Sequence, residues 1–581
     1  MFFNSPAINF LKKHKAFLLV LIVFVTYSPA VFNKFIGDDH LLVEKNVFYS
    51  SWKNVPRLFE RGYIHQLRDF FSNNHDYGSD CVSYRPVLSL TYFLYHSIWG
   101  NNPYGYHLTN ILIHCLNCVL LYLILSFILG STWESFLAAL LFGLHPVQSE
   151  AVAVVGYRAD ILASFFILGS FYCWIKFQSG NYLKIKYYRA SLMMYFLALF
   201  SKESAVLLPL VIFFYDQILS PSGRSLKHRR SYYAGFIPIL IFYLYLYIVV
   251  FPNSALYFNL FGGSVVKHVV TIGYIWYSYL INFLAPWTIK LLPGEYCPAT
   301  PAIFSFETLK MGVVFILFAG VLFRLWKSHR PGAFFLLWFL IFYFPVSNLI
   351  PLANPMAYRF MYLPAAGILT FYAVVLYKAL NSDFLKQYSR HFFSMFYTGV
   401  VLICIICTVF VNDRFKDDFS VGYTMVEHFP TAPTGYMLLG QEYYVRGFFG
   451  KAKEYFEEAV RYGNGNPQVD MQLGVCYFHL GQLKNAQQYL LSAISVNPDF
   501  LEPYLTLGNI YYIQKEYEKE CQVLEKELTL APDDPSIYTH LMDAYINLKE
   551  LKKAESLLYS ADNHLSPEKI AELKSIFYSR N

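Results

Sequence analysis

The feature that most constrains this chain is a series of apolar runs, each ended by charge or by proline, that fills residues 16 to 411. An apolar run of roughly 17 to 25 residues can cross a bilayer only as a helix, because lipid offers the backbone no hydrogen-bond partner. Such runs fall at 16–32, 106–129, 133–146, 158–177, 190–200, 203–219, 232–251, 308–326, 332–350, 358–380 and 393–411, two of them short. The chain is 56% hydrophobic and only 15% charged, with aromatic residues at 19%, which excludes a soluble protein of this size. The expected fold is therefore all-α and polytopic, with about eleven transmembrane helices.

Basic residues set the orientation, since Lys and Arg collect in cytoplasmic loops. Lys12, Lys13 and Lys15 precede the first run and no small-residue cleavage site follows it, so the start reads as an uncleaved signal-anchor beginning in the cytoplasm. The loops with Lys184, Lys186 and Arg189, with Arg224 to Arg230, with Lys327 and Arg330, and with Lys378, Lys386 and Arg390 are all cytoplasmic only if 85–99 and 266–289 do not cross. Those two stretches then rest along the outer face, the first as an interfacial helix with Tyr92, Tyr95, His96 and Trp99. The excess of 46 basic over 39 acidic groups is absorbed by these loops, and no basic, aromatic-interleaved stripe suited to nucleic acid is present. The nine cysteines show no metal-ligand spacing; Cys81 and Cys297 could pair in an oxidising compartment.

On this topology four charged segments open on one external face. Gly37-Asp38-Asp39 follows the first run; His145 to Glu150 and Gly156 to Asp160 join the third and fourth; Ser201 to Ser204 joins the fifth and sixth; Pro351 to Arg359 joins the ninth and tenth. Ionisable groups at a membrane boundary persist chiefly because they bind something or move a proton. Asp38 and Asp39 are candidate catalytic bases. Arg85, Arg158, Lys202 and Arg359 are candidate phosphate donors, Arg bidentately and Lys as a point charge. His145, Glu150, Asp160 and Glu203 would support them. The plain alternative is a set of local ion pairs at helix ends, Arg158 with Asp160 or Lys202 with Glu203. The two adjacent aspartates could also hold a divalent cation such as Mg or Mn.

After Val411 the sequence turns polar and repeats. Leu439-Gly440-x-x-Tyr443, Leu473-Gly474-x-x-Tyr477 and Leu507-Gly508-x-x-Tyr511 recur every 34 residues, and Met542 and Tyr545 continue the register. Small or apolar Ala452 and Ala486, Phe456 and Leu490, Ala459 and Ala493, and Pro498 and Pro532 fall where packed helix pairs and the turns between them need them. The expected organisation is a membrane domain over 1–411, with external loops at 33–105 and about 252–307; a linker over 412–433; about four tetratricopeptide (TPR) repeats over 434–565; and a tail over 566–581.

The motifs Gly37-Asp38-Asp39, Ser83-Tyr84-Arg85-Pro86, Tyr106-His107-Leu108-Thr109-Asn110, His145-Pro146-Val147 with Glu150-Ala151-Val152, Gly156-Tyr157-Arg158-Ala159-Asp160, Lys202-Glu203 and Tyr362-Leu363-Pro364 occur in that order. With the repeats, they make the chain resemble the transmembrane-and-tetratricopeptide-repeat family of protein O-mannosyltransferases, glycosyltransferases of the C-type (GT-C) superfold. Tyr358 stands where that family usually carries an acid before its Tyr-Leu-Pro. The resemblance implies a dolichyl- or polyprenyl-phosphate sugar donor, mannose above all, and inverting transfer to Ser or Thr hydroxyls of a protein acceptor. It also implies an active site in the first external loop, with the repeats in the bacterial periplasm or the lumen of the endoplasmic reticulum. A GT-C enzyme acting on a lipid or glycan fits many of the same residues. A transporter would show charges at mid-span and internal repeats, and a membrane-anchored TPR scaffold would need one span rather than about eleven.

Overall fold

The computed structural model describes residues 6–59, 84–179, 185–219, 232–250, 260–291, 301–352, 354–380, 390–463 and 466–580. Among these, every regular element is helical, and the chain divides into two compact units at Val421 and Gly422. Cys81, Cys297, Ser83 and the basic loop 224–230 lie outside the described residues.

The first unit is built from α1 (Pro6–Tyr27), α2 (Pro86–Trp99), α3 (Pro103–Ile128), α4 (Thr132–Leu144), α5 (Ser149–Ala153), α6 (Arg158–Ser179), α7 (Ile185–Leu199) and α8 (Leu208–Ile218). It continues through α9 (Phe236–Tyr245), α10 (Val265–Leu284), α11 (Phe306–Ser328), α12 (Arg330–Tyr343), α13 (Tyr362–Leu380) and α14 (Arg390–Arg414). All eleven apolar runs are helical. Among the described residues, six helices are long and apolar enough to cross a membrane: His14–Phe32, Pro103–Ile128, Arg158–Ser179, Phe306–Ser328, Tyr358–Lys378 and Met395–Arg414. The pair Thr132–Leu144 and Pro146–Ala153, bent by 50°, makes a seventh. The remaining runs are shortened by local geometry. The sixth starts with a 3-10 turn through Leu207 before Pro209, the seventh passes into a π turn at Leu246–Val250, and the ninth leaves its α-helix at Phe344-Pro345. Helix α2 is 14 residues long, begins on Pro86 and ends at Gly100 with φ of 56°, too short to span.

Helix α3 is the hub, packed against α1, α4 and α6, while α13 packs on α4 and α12. Close approach is bought with glycine: a methyl on Gly143 would meet Val23 at 2.7 Å and the Cys118 sulfur at 2.9 Å, and one on Gly367 would meet the Phe335 carbonyl oxygen at 2.4 Å. A buried polar knot locks α3 to α13. The Tyr362 hydroxyl donates to His114 Nδ1 (2.7 Å) and accepts from Asn117 Nδ2 (3.0 Å), while His114 Nε2 donates to the Gly143 carbonyl (3.0 Å). Tyr362 of the Tyr-Leu-Pro motif is thus a packing residue at the core.

Helix α15 (Asp418–His428) runs through the stretch expected as a linker, and the repeats follow as α16 (Pro433–Val445), α17 (Phe449–Tyr462), α18 (Pro467–His479), α19 (Leu483–Val496), α20 (Glu502–Gln514), α21 (Tyr517–Leu530), α22 (Pro535–Asn547) and α23 (Leu551–Ala561). The sequence period has a contact behind it. A methyl on Gly440 would meet the Phe456 ring at 2.7 Å, and the equivalents at Gly474 and Gly508 would meet Leu490 at 2.8 Å and Leu524 at 3.1 Å, so glycine lets each helix pair close. Tyr436, Tyr504 and Tyr538 each donate a hydroxyl to the proline carbonyl six residues earlier, at Pro430, Pro498 and Pro532. The expected tail is instead a ninth helix of the solenoid, α24 (Pro567–Arg580), whose Leu573 and Phe577 join the core of Leu541, Tyr545 and Leu557 and so cap the array.

Candidate functional site

The motif residues converge at one end of the membrane helices. Asp39 is fully buried, and its carboxylate accepts backbone N–H groups from Ile36 (3.3 Å), Val155 (3.3 Å) and Gly156 (2.6 Å). Burial nevertheless dominates, pushing Asp39 up to about 7 against those three bonds. A methyl on Gly156 would approach Asp39 Oδ1 to 3.0 Å, so the turn after α5 carries glycine at the point of contact. Asp38 is half-buried, and its main-chain carbonyl accepts from Leu41 (3.2 Å) and Leu42 (2.9 Å), making a stiff turn with the left-handed Gly37 (φ 49°) before it.

Three of the four cations pair with carboxylates, but not with their sequence neighbours. Lys202 Nζ meets Asp160 Oδ1 at 2.6 Å, Arg85 makes a two-pronged contact with Glu203 (2.7 and 3.2 Å), and Arg359 Nη1 donates to Glu150 Oε1 at 2.6 Å. Glu150 Oε2 also accepts the N–H groups of Tyr358 (2.7 Å) and Arg359 (3.3 Å). The local pairings of Arg158 with Asp160 and of Lys202 with Glu203 are therefore replaced by pairings across helices. Residues two apart at a helix start point in different directions, and only tertiary packing supplies an in-line partner. The Arg359 guanidinium stacks over Tyr157 (4.0 Å), and Lys202 approaches Phe360 (5.8 Å), so the pairs form one continuous patch beside the Asp39 turn.

Arg158 is different. It is fully buried, its Nε donates to Asn110 Oδ1 (2.7 Å), one Nη donates to the Tyr106 carbonyl (3.1 Å), and Nη1 has no hydrogen-bond partner. Its charge faces the rings of Tyr95 (4.4 Å), Tyr92 (5.2 Å) and Tyr106 (5.5 Å). Asn110 in turn donates to the carbonyls of Val152 and Val154 (both 3.3 Å), and His107 Nε2 donates to the Lys34 carbonyl (3.2 Å). The Tyr106-to-Asn110 motif thus scaffolds both the Asp39 turn and Arg158. His145 caps the turn after α4 by accepting from Val147 N–H (3.2 Å) and donates through Nε2 to the Phe283 carbonyl (3.3 Å), which assigns it to holding the bend.

Two acids and a base escaped the sequence reading. His40 Nδ1 meets Glu44 Oε2 at 2.5 Å and Nε2 meets Asp418 Oδ2 at 2.7 Å, and Asp418 first, then Glu44, hold the imidazole up at about 9 against the opposing effect of burial. The i, i+4 spacing of His40 and Glu44 is a signal in the sequence; nothing there points to Asp418. As for a cation, no group of three or more His, Cys, Asp or Glu side chains that could hold one comes together among the described residues. The Asp39 oxygens are meanwhile occupied by three backbone N–H donors.

Residues 85–248 match the family described as dolichyl-phosphate-mannose-protein mannosyltransferase, and 447–509 and 501–534 match tetratricopeptide repeats. The chain is 38% identical over 124 residues to protein O-mannosyl-transferase TMTC2 of Homo sapiens, covering 21% of this chain and 15% of that protein. It is 23% identical over 460 residues to protein O-mannosyl-transferase F38B6.6 of Caenorhabditis elegans, covering 76% and 62% respectively. The matches thus span under two thirds of either relative's length. The crystal structure of YrrB, a TPR protein with an unusual peptide-binding site, aligns at 20% identity over 34% of this chain and 97% of that one, with a TM-score of 0.25 that carries no weight here.

Proposed function

We propose that this multi-pass membrane chain, which belongs with the transmembrane-and-tetratricopeptide-repeat O-mannosyltransferase-like proteins, transfers mannose from a dolichyl- or polyprenyl-phosphate donor to Ser or Thr hydroxyls of a protein, with inversion. The observation that carries this reading is the half-buried Asp38 on a pinned turn: its neighbour Asp39 takes the Gly156 N–H, and Arg359, one of three cations each paired with its own carboxylate, stacks on the adjacent Tyr157. A hydroxyl is a poor nucleophile at neutral pH, so a carboxylate must take its proton as the oxygen attacks the anomeric carbon and the bond to the lipid phosphate breaks. Asp38 is that base, because it keeps access to solvent while Asp39 is closed in by three backbone donors. The departing phosphate is met by Arg85, Lys202 and Arg359, whose side chains keep 11, 14 and 8% exposure. Arg158 is held by Asn110 and the Tyr106 carbonyl and reaches the donor only through a rearrangement of its tyrosine cage.

The repeats bind the polypeptide acceptor, in keeping with the groove that stacked helix pairs form. The site and the repeats face the lumen or periplasm, opposite the basic loops. The test is reconstitution with a mannosyl-phospholipid donor and a Ser/Thr peptide. Hexose on the peptide supports the reading. Hexose found only on a lipid or glycan acceptor would move the chain to a different GT-C reaction, and none on any acceptor would leave a scaffold.

A further inference from the structure

The aspartate turn is pinned from two directions, and only one of them uses the family motifs. On the motif side Asp39 accepts from Val155 and Gly156. On the other side the turn is stitched to the end of α14 and the start of α15. Asn33 Nδ2 donates to the Asn412 carbonyl (3.4 Å) and Lys34 N–H to the Lys416 carbonyl (2.9 Å). Asp418 then takes both flanks of Asp38. Its Oδ1 accepts Gly37 N–H at 2.8 Å and its Oδ2 accepts His40 Nε2–H at 2.7 Å, from positions 381 and 378 residues away in sequence. The other ring nitrogen of His40 donates to Glu44, so the imidazole bridges two carboxylates.

We propose that Asp418, acting through Gly37 and His40, is a positioning residue that fixes where the Asp38 carboxylate stands. Residues 37 to 42 move as a body, because the Asp38 carbonyl holds Leu41 and Leu42. A displacement at Gly37 or His40 therefore carries Asp38 with it. The Asp418 side chain is only 12% exposed, and a bidentate carboxylate across the two ends of a turn constrains orientation as well as distance. Misplacement of a reacting group by about an ångström costs on the order of a hundredfold in rate. The catalytic part of this inference rests on the transfer reaction proposed above; the structural part does not.

The experiment compares Asp418→Ala, Asp418→Asn and the double variant His40→Ala/Asp418→Ala in the full chain, by steady-state transfer to a short peptide and by amide hydrogen exchange. Asp418→Ala should lower kcat on the order of a hundredfold with KM for donor and peptide unchanged, and should speed exchange over 36–42 while 103–128 stays protected. Asp418→Asn should recover most of the rate. Its amide oxygen still accepts from Gly37 and its NH2 can donate to a neutral Nε2, while Nδ1–H stays on Glu44. The double variant should be no slower than Asp418→Ala, since the two residues act as one clasp. Unchanged kcat, a loss confined to KM, equal losses with Asn and Ala, or additive losses would each overturn the proposal. If the wild type transfers no sugar, the transfer reading fails by itself, and unchanged exchange over 36–42 in Asp418→Ala is then what overturns the clasp.

Discussion

Replacing Glu150 by Gln is the perturbation the geometry speaks to most directly. Both Glu150 oxygens face donors: Oε1 the Arg359 guanidinium at 2.6 Å, Oε2 the N–H groups of Tyr358 and Arg359 at 2.7 and 3.3 Å. No orientation of an amide fits, because its NH2 must meet either a guanidinium or two backbone N–H groups. The pair is largely out of solvent, at 8% and 12% side-chain exposure, so breaking it from one side leaves an uncompensated charge worth about 3–5 kcal/mol. Arg359→Gln should cost a similar amount by stranding Glu150. The double variant Glu150→Gln/Arg359→Gln should cost less than either single one, since it removes both buried charges. Denaturant unfolding in mixed micelles, followed by tryptophan fluorescence, measures the cycle. A double-variant loss equal to the sum of the single losses would refute the claim that the two charges satisfy each other. Donor affinity adds a second axis. If Arg359 also touches the phosphate, its loss should weaken donor binding by about 1.5–3 kcal/mol, the worth of one charge-assisted hydrogen bond, whereas Glu150→Gln should change stability more than affinity.

Asp38→Asn should cut turnover on the order of 10² or more with donor binding kept, the usual worth of a general base, and quenched-flow transfer assays read it; wild-type turnover would remove this turn from the chemistry. His40 has a folded pKa raised above its unfolded value, so its stabilisation is complete below about pH 6.5 and is lost as pH rises through about 9. Thermal unfolding across that window should show the loss, and His40→Gln should flatten it. Truncation after Phe429 leaves α15 whole, so that Asp418 keeps its place, and should raise KM for a protein acceptor while sparing kcat on a short peptide, which steady-state kinetics on the two acceptors separate.

What the sequence made legible follows its local periodicities. Every apolar run is a helix, the 34-residue register sits on real glycine contacts at Gly440, Gly474 and Gly508, and the motifs gather at one end of the membrane helices. What it hid is long-range. Lys202 could be assigned to Glu203 by adjacency, yet its partner is Asp160, 42 residues away, because the ends of α6 and α7 meet. Arg158 carries no visible sign of its tyrosine cage, since Tyr92 and Tyr95 sit on α2 and Tyr106 on α3. Asp418 reads as one more residue of a polar linker, and only the fold shows it bonded to Gly37 and His40 on either side of Asp38. The α-helical length within a run was hidden too, because hydropathy cannot see a proline-bounded 3-10 turn such as Glu203–Leu207 ahead of Pro209.

As proposed above, Asp38 activates a hydroxyl for inverting attack on a lipid-phosphate mannose. The most direct measurement is the anomeric configuration, by NMR, of mannose transferred from a donor of defined configuration to a Ser/Thr peptide by the purified full chain. The product should carry the opposite configuration and should disappear with Asp38→Asn. Retained configuration, or undiminished transfer by Asp38→Asn, would contradict it.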